Sequence, residues 1–443
     1  MLASIANKFS SFINRFLPDA FIIAVLMTLL VIALAWGLDP QNGVQVISSW
    51  GDGFWVYIGF TMQMVLLLMT GMTLASAPSV SALLTRLAGQ ASGKLKPYAL
   101  VFIACAIAYY INWGLAVIVG AILAREVGRQ NDQVHFPLLV AAAYAPTALY
   151  TAGLSSSIGL TVATEGHFMA EVMGVIPTTE TMFSPATITI FLALAITMPI
   201  IIILMAPKNA SKIIPWSGNK EENHHSDNQN DGSDTEKTPA SVLENSGFLG
   251  RVMGIIGLAY TVYHFATGAD LNLNIINLLF LSLGLVLHPS LKAFSNAFSS
   301  SANAISPIIL QFPFYAGIIA VLSSSTLGDM IVTGLTGVAT SETFNVFTYL
   351  SAGLVNILAP SGGGQWALQG PLQIPAAISL GVDPATTAMA VGWGDAWTNL
   401  IQPFWALPIL SVVGLHIRHI MGYCILLSVW VGIVTSILIY LLY

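Results

Sequence analysis

The 14 Lys and Arg residues of this 443-residue chain fall in a few clusters, with long apolar stretches between them. The clusters are Lys8 and Arg15; Arg86, Lys94 and Lys96; Arg125 and Arg129; Lys208 to Arg251; then Lys292 and Arg418. Basic side chains that flank membrane segments stay on the cytoplasmic face, so the clusters act as topology marks. Placing them all on one side of a bilayer leaves one simple path, which divides the chain into two halves of opposite orientation.

Composition supports a membrane path. Hydrophobic residues make up 56% of the chain and charged residues 8%, whereas a soluble domain carries roughly 25% charged residues. Phe21 to Trp36, Ile188 to Ala206 and Ile420 to Leu442 approach or reach the roughly 20 residues that cross a hydrocarbon core. The expected class is an all-α polytopic membrane protein. Lys8 and Arg15 before an apolar run resemble a secretory signal, but the run from Asp19 to Gly37 is long for one and has no clear cleavage site. A retained first helix is therefore expected. Cys105 and Cys424 both sit in apolar segments, which argues against a disulfide framework or a metal cluster.

With the N-terminus inside, Asp19–Gly37 crosses outward, Gly53–Ala75 returns, and Pro78 to Gly93 lies at the inner interface. Residues 97–124 are apolar but interrupted at Ile111-Asn112-Trp113-Gly114, with basic pairs at both ends. One crossing would strand a pair outside, so a re-entrant hairpin is predicted. Residues 136–163 form a broken helix, interrupted by Pro146, Gly153 and Ser155-Ser156-Ser157, and Phe183–Ala206 completes a first repeat spanning 1–206. Residues 207–247 are polar and of low complexity, and a flexible cytoplasmic linker is predicted there; its His224 and His225 read as a solvated tail.

An extra crossing over 248–266 reverses the orientation, and the same order of segments then recurs through 248–443. Leu273–Leu287 comes in, Ile305–Leu322 goes out and Leu327–Thr340 lies at the outer interface. A second hairpin over 344–380 is interrupted at Pro360-Ser361-Gly362-Gly363-Gly364-Gln365-Trp366. A second broken helix over 384–415 is interrupted around Gly392-Trp393-Gly394-Asp395 and Gln402-Pro403, and Ile420–Leu442 follows. Trp113 and Trp366 each follow an amide, Asn112 and Gln365, at a predicted tip.

Inverted repeats with paired interrupted segments point to a binding site at the repeat interface, the architecture of a secondary transporter. Broken backbone at membrane depth is tolerated only inside protein or along a wet cavity. No Lys or Arg maps to the interior, so an anionic ligand there must be held by helix N-termini and neutral donors. The candidate substrate-binding residues are Ser361, Gly362, Gly363, Gly364 and Gln365 at the second tip and Asn112, Trp113 and Gly114 at the first. Thr147 and Ser156, with Ser155 and Ser157, and Asn399 and Gln402 come from the broken helices. Each has a plainer alternative: a turn without ligand contact, or a hydroxyl that satisfies a helix backbone.

Asp395 is the acid placed deepest in an apolar segment. Such a group is expected to be paired, protonated or coupled to an ion. Asp395 and Thr398 are thus the candidate ion-coupling residues, as proton carrier or Na+ ligands, with helix capping as the alternative. Trp393, Trp397, Phe404 and Trp405 either wall an apolar pocket or anchor helices at the interface. With no catalytic triad, metal-ligand cluster or Walker loop, an ion gradient is the expected energy source. Neither a cofactor nor an enzymatic activity is expected.

Gly51-Asp52-Gly53-Phe54-Trp55, Ile111-Asn112-Trp113-Gly114, Ala359-Pro360-Ser361-Gly362-Gly363-Gly364, Gln402-Pro403-Phe404-Trp405-Ala406-Leu407-Pro408 and Met421-Gly422-Tyr423-Cys424, in this order, resemble the bacterial short-chain fatty acid transporter family, the AtoE-type permeases. The resemblance covers nearly the whole chain outside the acidic linker. It implies uptake of short monocarboxylates such as acetoacetate or butyrate across the bacterial inner membrane, and kinship with an ion-transporter superfamily whose members often use an elevator motion. Coupling to H+ or Na+ is expected, with a homodimeric scaffold, the lipid bilayer and a small carboxylate as partners and no nucleic acid. A sodium-coupled dicarboxylate symporter is the nearest rival, and a channel or an intramembrane enzyme fits less well.

Overall fold

The computed structural model of the protein describes residues 20–207, 209–218, 238–358, 361–402 and 404–443. Lys8, Arg15, Lys208, His224, His225, Ala359, Pro360, Pro403 and most of the linker lie outside the described residues. Among the described residues every regular element is helical, and six helices are long and apolar enough to cross a membrane.

The first half contains α1 Ala20–Leu38, α2 Gly43–Gly53, α3 Ile58–Ala75, α4 Pro78–Ala88, α5 Lys96–Ile111 and α6 Trp113–Gln130. It continues with α7 Phe136–Tyr144, a 3-10 segment Ala145–Ala152, α8 Ser157–Val162 and α9 Pro185–Met205. After α10 Gly247–Ala266 come α11 Leu273–Leu287, α12 Leu291–Ser300, α13 Ser306–Ser323, α14 Thr326–Val338, α15 Phe344–Leu358 and α16 Gly362–Ser379. The chain ends with α17 Pro384–Thr398, a 3-10 turn Phe404–Ala406, α18 Leu407–Val413 and α19 Ile417–Leu442.

From α1 to α9 and from α11 to α19 the elements follow one order, and their packing is paired as well. Helix α3 lies against α6 as α13 lies against α16; α4 against α6 as α14 against α16; α6 against α18 as α16 against α8. Helices α1 and α13 pack together, as do their counterparts α11 and α3, so each half lends a helix to the other.

Local chemistry accounts for the interruptions. Pro146 has no N–H to donate and its ring crowds the carbonyl four residues back, so the α-helix gives way to a 3-10 segment at Ala145. Two short helices depart from the expected reading. The helix expected over Gly53–Ala75 begins only at Ile58, and the stretch before it forms α2 instead of a loop. Gly43, Val46, Trp50 and Gly53 recur at helical spacing, with Gly53 against Ala320 and Trp50 against Gly317 of α13. Its counterpart α12 occupies what read as a loop around Lys292.

The outer surface is apolar. Ile188, Leu192, Ile196, Ile200 and Leu204 form an exposed stripe along α9, a patch that water disfavours and lipid accepts. Helix α10 packs on α11 through Gly250, Gly254, Gly257 and Thr261, and a Cβ at Gly254 would press on Val286 and the Ser282 carbonyl. Such close backbone approach through small residues is how helices associate in lipid. The broken segment between Phe136 and Val162 is enclosed instead: 94% of the residues in its 18-residue apolar stretch are buried inside the protein.

Candidate functional site

The first hairpin turns at Asn112, whose extended backbone ends α5 and whose side chain starts α6. Its Oδ1 accepts from Leu115 N at 2.9 Å and its Nδ2 donates to Leu67 O at 3.1 Å. Gly71 and Gly114 let α3 pass this tip closely: a Cβ at Gly71 would overlap the Asn112 amide, and one at Gly114 would press on Leu68 O. The tip docks on the break in the first broken helix. Trp113 N donates to Ser155 Oγ at 3.0 Å, Leu154 N donates to Tyr110 O at 2.6 Å, and Ser156 caps α8 through Gly159 N at 3.2 Å. Backbone groups freed by the break therefore find partners within the protein.

The second hairpin mirrors this chemistry. Ser361 Oγ accepts from Gly364 N at 3.3 Å and caps α16. Gly362 and Gly363 hold the first helical positions, whose N–H groups have no partner within the helix. Gly363 leaves room for Met64 and Phe60, and Gly364 for Tyr315 and Phe312. Gln365 is buried, its Nε2 donating to Ala352 O at 2.7 Å and Gln369 Oε1 at 2.8 Å. From the other arm, Asn356 Nδ2 meets Asp395 O at 2.8 Å, Thr398 Oγ1 at 3.0 Å and Asn399 Oδ1 at 2.9 Å. Thr398 Oγ1 donates to Gly353 O at 2.9 Å, and Gln402 Nε2 reaches Asn399 Oδ1 at 3.4 Å.

Between the two tips lies a cavity of about 40 Å³, room for roughly three waters. The first half lines it with Met64, Tyr109, Trp113, Val117, Thr147, Tyr150 and Ser157; the second with Ile308, Phe312, Ser361, Gly362, Gly363, Asn399 and Trp405. Thr147, Ser361 and Asn399 supply polar groups, and Met64, Val117, Ile308 and Phe312 supply an apolar wall. Phe60 stacks on Phe312 with centroids 5.6 Å apart and divides this centre from a hollow of about 370 Å³ beside Gln63 and His167.

Of the residues singled out from sequence, Trp113, Thr147, Ser157, Ser361, Gly362, Gly363 and Asn399 line the cavity. Asn112, Gly114, Ser156, Gly364, Gln365, Thr398 and Gln402 stand around it. Asp395 lies immediately behind, where Tyr150 Oη donates to its Oδ2 while its buried Oδ1 has no partner. A Cβ on Gly362 would run into Tyr150 Oη and come within 3.2 Å of Asp395 Oδ2. Trp405 lines the cavity, edge-on to Trp113 at 5.1 Å. Trp393 instead donates to Tyr443 Oη at 3.2 Å and Trp397 to Ser428 O at 2.7 Å, which fastens α17 to α19. The side chain of Phe404 is outside those described.

Sequence reading passed over Tyr109 and Tyr150, which resemble ordinary helix aromatics. Their position is the signal that was there: Tyr109 sits in the last turn before Asn112, and Tyr150 between Pro146 and Gly153.

At the start of the first broken helix His135 holds the first residues of the linker. Its Nδ1 accepts from Ile214 N at 3.1 Å, Phe136 N donates to Ile214 O at 2.8 Å, and Nε2 lies 2.9 Å from Tyr423 Oη. Burial pushes this imidazole below its usual value, with the Lys212 carbonyl acting in the opposite sense.

A family model described as short chain fatty acid transporter matches residues 1–442. The chain is 39% identical over 437 residues to a provisionally named short-chain fatty acid transporter of Escherichia coli (strain K12), covering 98% of each protein. A relative of the same provisional name from Haemophilus influenzae is 37% identical over 438 residues, covering 96% of each. Among solved structures, the YdaH transporter of Alcanivorax borkumensis is similar with a TM-score of 0.61 over 96% of this chain and 98% of that one, at 16% identity. MtrF of Neisseria gonorrhoeae, described as illuminating a class of antimetabolite efflux pumps, is similar with a TM-score of 0.52 over 99% and 97%, also at 16% identity. At such low identity these two likenesses concern the fold.

Proposed function

Because the chain belongs to the short-chain fatty acid transporter family, we propose that it is a secondary active transporter for short monocarboxylates such as acetoacetate or butyrate, acting in the bacterial inner membrane and driven by H+ or Na+. The observation that carries this reading is the small cavity between two paired breaks, lined equally by both halves and holding polar groups beside an apolar wall. Its mixed lining suits a short acid. One carboxylate needs one group of donors, and a short acyl tail needs one apolar wall.

In this reading the two halves are inverted repeats, as the basic clusters imply, and the hairpins and broken helices move as one unit against a dimeric scaffold that includes α3 and α13. The Ser361–Gly363 tip, Thr147 and Asn399 face the substrate. Asp395 and Thr398, behind the cavity, respond to the coupling ion, whose binding readies the site through Tyr150 and Gly362. A family of transporters argues for translocation without chemical change, so no enzymatic step is assigned.

Uptake of labelled butyrate and succinate into proteoliposomes, under separately imposed sodium and pH gradients, tests the proposal. Butyrate accumulation driven by one gradient alone is expected, and it names the ion. Succinate accumulation without competition by butyrate would move the chain to the dicarboxylate class.

A further inference from the structure

The cavity wall carries hydrogen-bond donors that no group among the described residues satisfies. Tyr109 is 2% exposed and its hydroxyl is unpartnered; the neighbouring Thr147 hydroxyl does not complete a hydrogen bond with it. The indole N–H of Trp113, just across the Asn112 break, is also buried and unpartnered. Both side chains line the same cavity. A buried donor without an acceptor is costly and rare in native folds, and a missing ligand is one physical reason to keep it. The unpartnered acceptor oxygens of this region, on Asp395, Asn356 and Gln365, belong to residues that stand outside the cavity lining. Its first-half end is therefore built for an acceptor, as an anion site is.

We propose that Tyr109 Oη and Trp113 Nε1 bind the carboxylate of the substrate, with its acyl carbons directed toward Met64, Ile308 and Phe312. This rests on the reading that the cavity takes a short monocarboxylate, and it adds which end of the cavity takes the charge. The Ser361 hydroxyl accepts from Gly364 N and keeps its own proton to donate, but it belongs to the second-half tip, across the cavity from this pair. The indole is held in advance of binding: Trp113 N is fixed by Ser155 Oγ at 3.0 Å and its ring meets Trp405 edge-on. Such preorganisation lowers the entropic cost of capture. Among the described residues no Lys or Arg lines the cavity, so the anion leaves without separating from a fixed cation, which suits a carrier that must release its cargo.

The test is equilibrium binding of radiolabelled butyrate to the purified full-length protein in detergent, paired with uptake kinetics in proteoliposomes. Tyr109→Phe removes one oxygen and keeps the ring. It is expected to raise Kd and KM by about ten-fold or more, the loss of a hydrogen bond to a charged acceptor. The kcat should stay within about two-fold, because the contact serves the bound state generally. Trp113→Phe is expected to weaken binding likewise and to reduce the butyrate-dependent change in tryptophan fluorescence, to which Trp405 also contributes. Unchanged Kd in both variants, at wild-type melting temperature, overturns the assignment. Wild-type protein that binds no short monocarboxylate overturns the functional reading on which it rests.

Discussion

The hydroxyl of Tyr150, on the 3-10 segment of the first half, donates to Oδ2 of Asp395, on helix α17 of the second half, 245 residues away in sequence. This hydrogen bond joins the two broken helices directly behind the cavity. The second carboxylate oxygen is buried and makes no close hydrogen bond, and the Asn399 amide nearby is the other group that supports the acid. Removing the donor with Tyr150→Phe leaves a buried acceptor unsatisfied, at a cost of about 1–3 kcal/mol. A lower melting temperature and a loss of butyrate accumulation of at least about ten-fold are expected, measured by thermal unfolding and proteoliposome uptake.

Asp395→Asn keeps the shape and removes the charge. The expected outcome is loss of gradient-driven accumulation with retention of butyrate–butyrate exchange, since exchange needs the cavity but not the coupling ion. Accumulation at the wild-type ratio would take Asp395 out of the coupling step.

Gly362 sits where any side chain collides. A methyl there would strike the Tyr150 hydroxyl and crowd Asp395 and Ser157. Gly362→Ala is expected to reduce uptake by about ten-fold or more, in line with the 1–3 kcal/mol cost of overpacking. Gly51→Ala is the matched control because nothing lies within 4 Å of its added Cβ, and uptake there should stay near wild type.

Chain-length preference should be set by the apolar wall. Ile308 is 5% exposed and lines the cavity. Each additional buried methylene of substrate is worth about 0.8 kcal/mol, roughly four-fold in affinity. Ile308→Val and then Ile308→Ala should shift the preferred acid toward longer chains in that order, measured as competition of C4, C5 and C6 acids against labelled butyrate. An unchanged order of preference would place the acyl tail elsewhere.

The contact between His135 and Ile214 should respond to pH. Accepting from Ile214 N requires a neutral ring with a free Nδ1 lone pair, and burial lowers the imidazole pKa in the docked state. The undocked ring, with an ordinary value near 6.5, takes up a proton first as pH falls. Docking is therefore complete above that range and weakens progressively below it, until the docked ring also titrates. The groups around the ring are the Tyr423 hydroxyl, the Tyr98 hydroxyl, which accepts from His135 N at 2.8 Å, and the Lys212 carbonyl. Hydrogen exchange across residues 209–218, corrected for intrinsic rates, should accelerate between pH 7.5 and 5.5, and His135→Asn should abolish that dependence.

Much of this architecture was legible because its key positions use residues with unusual backbone chemistry. Pro146, Gly153, Asn112 and the Ser361–Gly364 run interrupt otherwise apolar stretches, and interruptions stand out against such a background. The short helices α2 and α12 were not legible. Each is amphipathic and polar enough to pass as a loop, and the face formed by Gly43, Val46, Trp50 and Gly53 acquires meaning only against its neighbours, with Gly43 against Trp36 of α1 and Trp50 and Gly53 against α13.

By itself the sequence determined the class and most of the breaks, because membrane crossing and helix interruption depend on local composition. Gly392-Trp393-Gly394-Asp395 also reads as a break, yet it lies inside the continuous helix α17 and the interruption comes only after Thr398, since glycine without proline leaves the helical hydrogen bonds in place. It also carried the family, through short motifs spread along the chain. Which polar residues face the cavity was decided only by tertiary structure. Asn112, Ser156 and Ser361 each cap the helix that follows, because a broken helix must first satisfy its own N–H groups, and of the three Ser361 also lines the cavity. Tyr109 and Tyr150 looked like filling, yet the rotation of their segments and the docking of each hairpin on a broken helix turn them toward the cavity between the halves.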